Sequence, residues 1–308
     1  MFDLVIIGGG PGGVSAGIYA ARKQLKTLFI TKEWGGQSVV SSDIQNWIGT
    51  ISIPGAELAK QLEQHLKHYA QDVVTIKEGV LVTQVTKKDD GTFAVTLDTG
   101  ETHDARAILI TSGSTRRTLD VPGAKEFDQK GLTYCASCDG PLFSGQDVVV
   151  IGGGNAAFET AAQLLAYTKS VTLLNRSADF KADPVTVEKV RANPKMNIVV
   201  NAIPTAVIGD KFVSAIKYKD TLSDEEKELP THGIFVEIGL IPSTSYLGDL
   251  VELDPYKRIK IDPRTQQTST PGVWAAGDCT DILYHQNNIS VGDAVRALED
   301  IYVHLHTK

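Results

Sequence analysis

Twice along the chain, a short apolar run passes straight into a glycine-rich turn and then into a helix-like pattern. Leu4 to Ile7 leads into Gly8-Gly9-Gly10-Pro11-Gly12-Gly13 and a run from Val14 to Lys23. Val148 to Ile151 leads into Gly152-Gly153-Gly154-Asn155-Ala156-Ala157 and a run ending near Tyr167. Another apolar strand follows each helix, Thr27 to Ile30 and Ser170 to Leu174, which makes two β-α-β units. In each turn the first glycine permits a tight bend and the second lets backbone approach a pyrophosphate. A third small residue lets the helix pack on its strand. A phosphate then meets free amides and the positive end of the helix dipole. One such turn arises readily by chance; two, each between a strand and a helix, point to two dinucleotide sites.

The rest of the chain fits this frame. A length of 308 residues exceeds one typical domain and suits two. Ala56 to Gln71 reads as an amphipathic helix, with strands near Val73 to Ile76, Phe93 to Leu97 and Ala107 to Thr111, the last returning to the first sheet. Beyond the second unit, Asn197 to Val200, Val213 to Lys219 and Gly233 to Ile238 read as strands. Asp220 to Pro230 reads as a charged, solvated hairpin, and Val291 to Leu305 as a terminal helix. The expected fold class is α/β: two doubly wound, Rossmann-like, three-layer nucleotide-binding domains, the second inserted in the first. Boundaries follow as residues 1–113 with 243–308 for one domain and 114–242 for the other. Glycine, serine and threonine near 112–118 and 239–244 suit hinges.

The formal charge of -7 argues against a nucleic-acid surface or a polybasic membrane patch. No apolar run is long enough to span a bilayer, and the chain opens on a strand rather than a charged leader, so a cytoplasmic protein is expected. Three cysteines do not make a secreted disulfide framework. Two of them form the run Cys135-Ala136-Ser137-Cys138-Asp139-Gly140. That spacing brings both sulfurs within bonding reach, and a helix start or turn can lower a thiol's pKa. Half a zinc site would need two further ligands, and the sequence has no second CxxC or CxxH, so no metal is expected. Buried free thiols fit Cys279 better than a pair followed by Asp-Gly-Pro. His65 and His68 share a helix face with no third ligand nearby and read as surface.

CASCDG ahead of the second fingerprint, Gly233 to Gly239 after it, and Trp274-Ala-Ala-Gly277-Asp278 near the end resemble, in this order, the low-molecular-weight thioredoxin reductase family. The stretches Cys138 to Phe143 and Phe180 to Asp183 are similar to the reductase portion of the bacterial alkyl hydroperoxide reductase flavoprotein. That flavoprotein carries an extra N-terminal thioredoxin-like domain; this chain begins at the first fingerprint, so a stand-alone reductase is expected. The resemblance implies FAD on the first unit and a nicotinamide nucleotide on the second. Gly8, Gly10 and Gly13 would cradle the FAD pyrophosphate, and Pro11 and Gly113 count among the cofactor-binding residues. Gly35, Gly36, Gln37 and Asn46 match the groups near the isoalloxazine, and Gly277 with Asp278 the ribityl and phosphate region. Thr31 stands where relatives carry a ribose-binding Glu, and Glu33 is the candidate replacement. Tyr284-His285-Gln286-Asn287 departs from the usual Tyr-Arg-Gln-Ala at the flavin pyrimidine end.

By the same resemblance, Cys138 faces the flavin, Cys135 attacks the partner disulfide, and Asp139 protonates the departing thiolate. The implied partner is thioredoxin or a thioredoxin-like protein, and the implied assembly a homodimer. Gly152, Gly154, Asn155 and Ala157 would hold the nicotinamide nucleotide. Asn175-Arg176-Ser177 and Lys181 replace the family's His-Arg-Arg and further Arg. Arg176 and Lys181 favour the 2′-phosphate of NADPH; with no acid to select the ribose diol and only part of the basic set, NADH and a ferredoxin donor stay open. A dithiol oxidase using oxygen, and a non-catalytic flavin-binding redox sensor, are the remaining alternatives.

Overall fold

Alternation along two strands explains the layering. In the computed structural model, which describes residues 1–41 and 43–307, the strand Phe2–Ile7 lies at the centre of a parallel sheet. Successive side chains of a strand point to opposite faces. Leu4 and Ile6 therefore enter one core with Val14, Phe29, Leu66, Trp274 and Leu298. Val5 and Ile7 enter the other, with Leu28, Ile30, Phe93, Ile108 and Val273. The helices Pro11–Arg22, Gly55–Ala70 and Asn287–Thr307 supply the first face. Both faces being covered is why Leu4 to Ile7 of this strand is an unbroken apolar run.

The sheet runs Val74–Glu78, Thr27–Thr31, Phe2–Ile7, Thr102–Ile110, with Phe93–Leu97 and Val82–Lys87 added antiparallel beyond it. Val273–Ala275 joins Thr102–Ile110 in parallel, with Trp274 opposite Leu109. Strand Thr102–Ile110 thus returns to the first sheet, as its apolar pattern indicates.

The second unit repeats the scheme. Five parallel strands run in the order Met196–Val199, Ser170–Leu174, Asp147–Ile151, Gly233–Val236, Leu132–Thr133. Val148 and Val150 pack against Phe158, Ala161 and Leu164 of the helix Asn155–Leu165. Val149 and Ile151 face Val207 and Ile216, which belong to an antiparallel meander of Ala202–Gly209, Val213–Asp220 and Glu226–Pro230. Helix, parallel sheet and meander make the three layers. The chain divides into Met1–Thr115 with Ile241–Lys308, and Arg116–Leu240. Where it passes between them, Ser114–Arg116 and Leu240–Pro242 pair as a short two-stranded ladder.

Among the elements that escape the sequence pattern, three have a visible reason. Val82–Lys87 buries every third residue because a bulge between Val82 and Gln84 breaks the alternation. Ala202–Gly209 contains Pro204, which ordinarily argues against a strand, and sits beside a register shift. The short helix Pro184–Arg191 buries only Val187 and Val190, although its start is signalled by Pro184 and by Asp183, whose carboxylate accepts the Thr186 amide at 3.0 Å.

Each unit has its own core, so a cavity in one stays local. Phe158→Ala, at a fully buried position, is expected to cost about 3–5 kcal/mol. Amide hydrogen exchange should speed up across 116–240 far more than across 1–115; equal loss in both would show a single shared core.

Candidate functional site

The first glycine turn is shaped by backbone contact. A Cβ at Gly13 would lie 1.9 Å from the Gly8 carbonyl oxygen, and one at Gly8, whose φ is +123°, 2.3 Å from that of Thr111. Helix and strand meet here more closely than any side chain permits. Gly10 has open space around it and caps the helix without a side-chain bond, which leaves the first-turn amides for a ligand. Gly35, at φ +82°, is tied back by its amide to the Gly9 carbonyl at 2.8 Å. This is the cradle a pyrophosphate needs.

Distant segments converge on the same unit. Asn46 donates from Nδ2 to Gln286 Oε1 at 3.2 Å, and Asn288 donates to the Asn46 carbonyl at 2.8 Å. Ser38 Oγ donates to Asn287 Oδ1 at 3.2 Å. The structure therefore brings Asn46, Gln286 and Asn287 together. Gly36 lies next to Gly10, and Gln37 is exposed beside it. Nε2 of His285 is buried with no hydrogen-bond partner among the described residues. Ser290 is a contact the sequence did not reveal: a Cβ on Gly277 would come 2.4 Å from its Oγ, and one on Gly12 2.6 Å. It wedges the Gly277-Asp278 turn against the start of the first helix. Gly113, at φ +65°, opens onto free space. Glu33 is exposed beyond the strand end, while buried Thr31 donates its hydroxyl to the Glu33 carbonyl at 2.5 Å. Among the described residues, no hydrogen bond or ion pair holds the Glu33 carboxylate. Burial pushes the Cys279 thiol up to about 12, so it stays protonated and unreactive.

The second turn has the same shape. Gly152, at φ +144°, leaves 2.3 Å between a Cβ and the Glu237 carbonyl oxygen, and Ala157 is the small residue packed beneath it. Gly154 is open and caps its helix without a side-chain bond. The loop after Leu174 folds back on this turn. Buried Asn175 donates to the carbonyls of Ser177 and Asp179, both at 2.9 Å. The Lys181 amide reaches the Gly153 carbonyl at 2.7 Å, and Asn155 Oδ1 accepts the Asp183 amide at 2.8 Å. Asn155 and Asn175 are thereby used as loop anchors, whereas Arg176 and Lys181 are exposed.

Cys135 and Cys138 form a disulfide with Cα atoms 5.3 Å apart. Cys135 is the N-cap of the four-residue helix Ala136–Asp139, and the Cys138 amide donates to Cys135 Sγ at 3.2 Å. An amide aimed at that sulfur stabilises negative charge on it once the disulfide is reduced. Both cysteines and Asp139 are half-buried, and the Thr133 hydroxyl donates to Asp139 Oδ2. Among the described residues no three His, Cys, Asp or Glu gather to hold a metal, and no helix is long and apolar enough to cross a membrane.

Two glycine turns on parallel sheets and a helix-borne disulfide are the parts of a nucleotide-dependent disulfide oxidoreductase. The profile of that family, pyridine nucleotide-disulphide oxidoreductase, matches residues 2–297, and the chain belongs to it. A component of the alkyl hydroperoxide reductase of Pseudomonas putida is 39% identical over 305 residues, which are 99% of this chain and 58% of that protein. A protein named NADH dehydrogenase in Bacillus subtilis is 39% identical over 296 residues, 96% of this chain and 57% of its own. This chain thus spans under two thirds of the length of these relatives. Among solved structures, thioredoxin reductase from Giardia duodenalis superposes with a TM-score of 0.93 at 31% identity, covering 99% of this chain and 98% of that one. The thioredoxin reductase of T. acidophilum is 38% identical, with a TM-score of 0.64 and coverage of 98% and 97%.

One acid in the second unit escaped the sequence pattern. Glu237 directly follows the strand Gly233–Val236 beside Gly152, and its Oε1 accepts from Thr160 Oγ1 at 2.9 Å. Burial pushes its pKa from 4.5 up to about 7, outweighing the Thr160 bond and Arg116, which pull it down; Glu159 adds to the rise. The folded state therefore holds a proton that the unfolded chain has released. Stability from this group is intact below pH 4.5 and is lost as pH rises towards 7. Relative to the parent, Glu237→Gln should gain about 2–3 kcal/mol of unfolding free energy across that window. Denaturant melts at several pH values check it; a constant offset would mean that Glu237 is ionised in the fold.

Proposed function

We propose that this protein is an FAD-dependent reductase of protein disulfides. Electrons would pass from a nicotinamide nucleotide through FAD and the Cys135–Cys138 disulfide to a thioredoxin-like protein. The observation that carries the reading is a disulfide at the N-cap of a short helix, with a hydrogen-bonded carboxyl beside it, in a chain with two open glycine cradles. The whole-chain likeness to thioredoxin reductases supports it.

Gly8, Gly10, Pro11 and Gly13 would hold the FAD pyrophosphate; Gly113, Gly277 and Asp278 the ribityl region; Gly35, Gly36, Gln37, Asn46, His285, Gln286 and Asn287 the ring system. Bound there, the flavin supplies electron-pair exchange between a nicotinamide and a disulfide. The protein's own residues do the rest. The reduced pair has Cys135 as the attacking thiolate, stabilised by the Cys138 amide. Asp139, within reach of the same helix turn, supplies a proton to the sulfur that leaves the partner. Cys138 then attacks the Cys135 sulfur of the mixed disulfide, which restores the internal disulfide and releases the partner's second sulfur as a thiol.

For the donor, Arg176 and Lys181 stand exposed on the loop anchored by Asn175, and a guanidinium there suits the 2′-phosphate of NADPH. NADH is the second reading, favoured by the relative named NADH dehydrogenase and by the missing second arginine. We propose a homodimer as well, as the family resemblance implies.

Two outcomes check this. Cys138→Ser should keep FAD and its bleaching by the nicotinamide donor but lose disulfide reduction; full turnover in that variant contradicts the role of the pair. Anaerobic titration with NADPH and NADH separately names the donor by fast bleaching. Arg176→Ala should weaken the NADPH response about tenfold, a loss of about 1.4 kcal/mol, and leave NADH unchanged. Bleaching by neither nucleotide would point to ferredoxin or to an oxidase.

A further inference from the structure

We infer that Thr133 is a positioning residue for the proton transfer assigned to Asp139, an inference that rests on the disulfide-reductase reading above. Thr133 belongs to no sequence motif, yet the structure gives it two bonds at the redox pair. Its hydroxyl oxygen accepts the Cys135 amide at 3.3 Å, and its hydroxyl hydrogen goes to Asp139 Oδ2. One buried side chain, 3% exposed, thus links the backbone of the attacking cysteine to the carboxyl of the acid.

The need for such a link is geometric. Asp139 ends a helix of only four residues, held by its amide to the Cys135 carbonyl at 3.0 Å. A single turn fixes the backbone but does not by itself choose the side-chain rotamer. Thr133, by contrast, lies on a strand paired in register with Phe235 of the parallel sheet. Its β-branched side chain has few rotamers, so the hydroxyl is a fixed point. The sheet thereby sets where the carboxyl stands relative to the sulfur.

Protons and electrons balance in the exchange. In the reduced pair, the Cys135 thiol gives its proton to the Asp139 carboxylate, and its sulfur bonds to one sulfur of the partner disulfide. The partner's S–S bond breaks, and the departing sulfur takes the proton from Asp139. Cys138 then bonds to Cys135, its own proton passing to the second partner sulfur as that leaves. Two thiol protons and one electron pair move from the protein dithiol to the partner disulfide. Thr133 neither gains nor loses a bond to a reacting atom.

The test uses the full chain with its pair reduced by dithiothreitol, the reagent removed, and an oxidised thioredoxin as the probe, followed by stopped flow. Thr133→Val should slow the exchange about ten- to a hundredfold, the scale of a misplaced reacting group. Thr133→Ser should restore most of the rate. Asp139→Asn should be slow, and Thr133→Val added to it should slow it no further, since both act on one step. Bleaching of bound FAD by the nucleotide donor should be unchanged in the Thr133 variants. Full rate in Thr133→Val beside a slow Asp139→Asn overturns the inference and leaves the function standing. So do multiplying effects in the double variant, or a Ser variant as slow as Val. Full rate in Asp139→Asn removes the acid itself, and with it both the role given to Asp139 and the role given to Thr133. Thermal melts of the Val and Ser variants separate a folding defect from a slowed step.

Discussion

Close approach of backbone to backbone at the ends of two parallel strands is the constraint on which this structure turns. At Gly13 and Gly8, and again at Gly152, there is no room for a methyl group beside a main-chain carbonyl. That crowding lets each helix start directly above its sheet, with uncapped amides facing outward. The loops carrying the other site residues are then tied to these turns: Gly35 to Gly9, Lys181 to Gly153, Ser290 against Gly277. A larger residue at Gly8, Gly13 or Gly152 would displace the helix and everything hydrogen-bonded to the turn.

The disulfide end relies on a different device, a short helix whose capping atom is a sulfur. A helix of four residues carries little dipole, so a direct amide contact and a sheet-borne hydroxyl do the positioning. Cys279 makes the contrast. It has the same side chain but is fully buried, its thiol held protonated, and serves as packing against the Ile110 and Ala276 carbonyls.

Much of this was legible in the sequence because the signals are local. Strand, glycine turn and helix follow one another without interruption, and Cys135 and Cys138 are one helical turn apart. The two parallel sheets and the return of Thr102–Ile110 follow from apolar runs too long to be exposed. What could not be read depends on residues far apart in the chain. Thr133 looks like any strand threonine until Asp139 is folded over it. Glu237 lies within the Gly233 to Gly239 motif with no role of its own until Thr160 and burial set its protonation. Ser290 and Asn288 acquire meaning only when the last helix reaches the first turn. The strand around Pro204 and the bulged strand at Val82 were hidden by irregularities that only their antiparallel partners compensate.

The central claim is that Cys135 and Cys138 form a redox centre working with a bound flavin, and counting electrons tests it most directly. Anaerobic titration of the flavin-loaded protein with dithionite should consume an electron pair for the flavin and a further pair for the disulfide. Both cysteines should then become reactive to a thiol reagent, while Cys279 stays silent. Uptake that ends at the flavin, with the Cys135–Cys138 bond intact, would contradict the account.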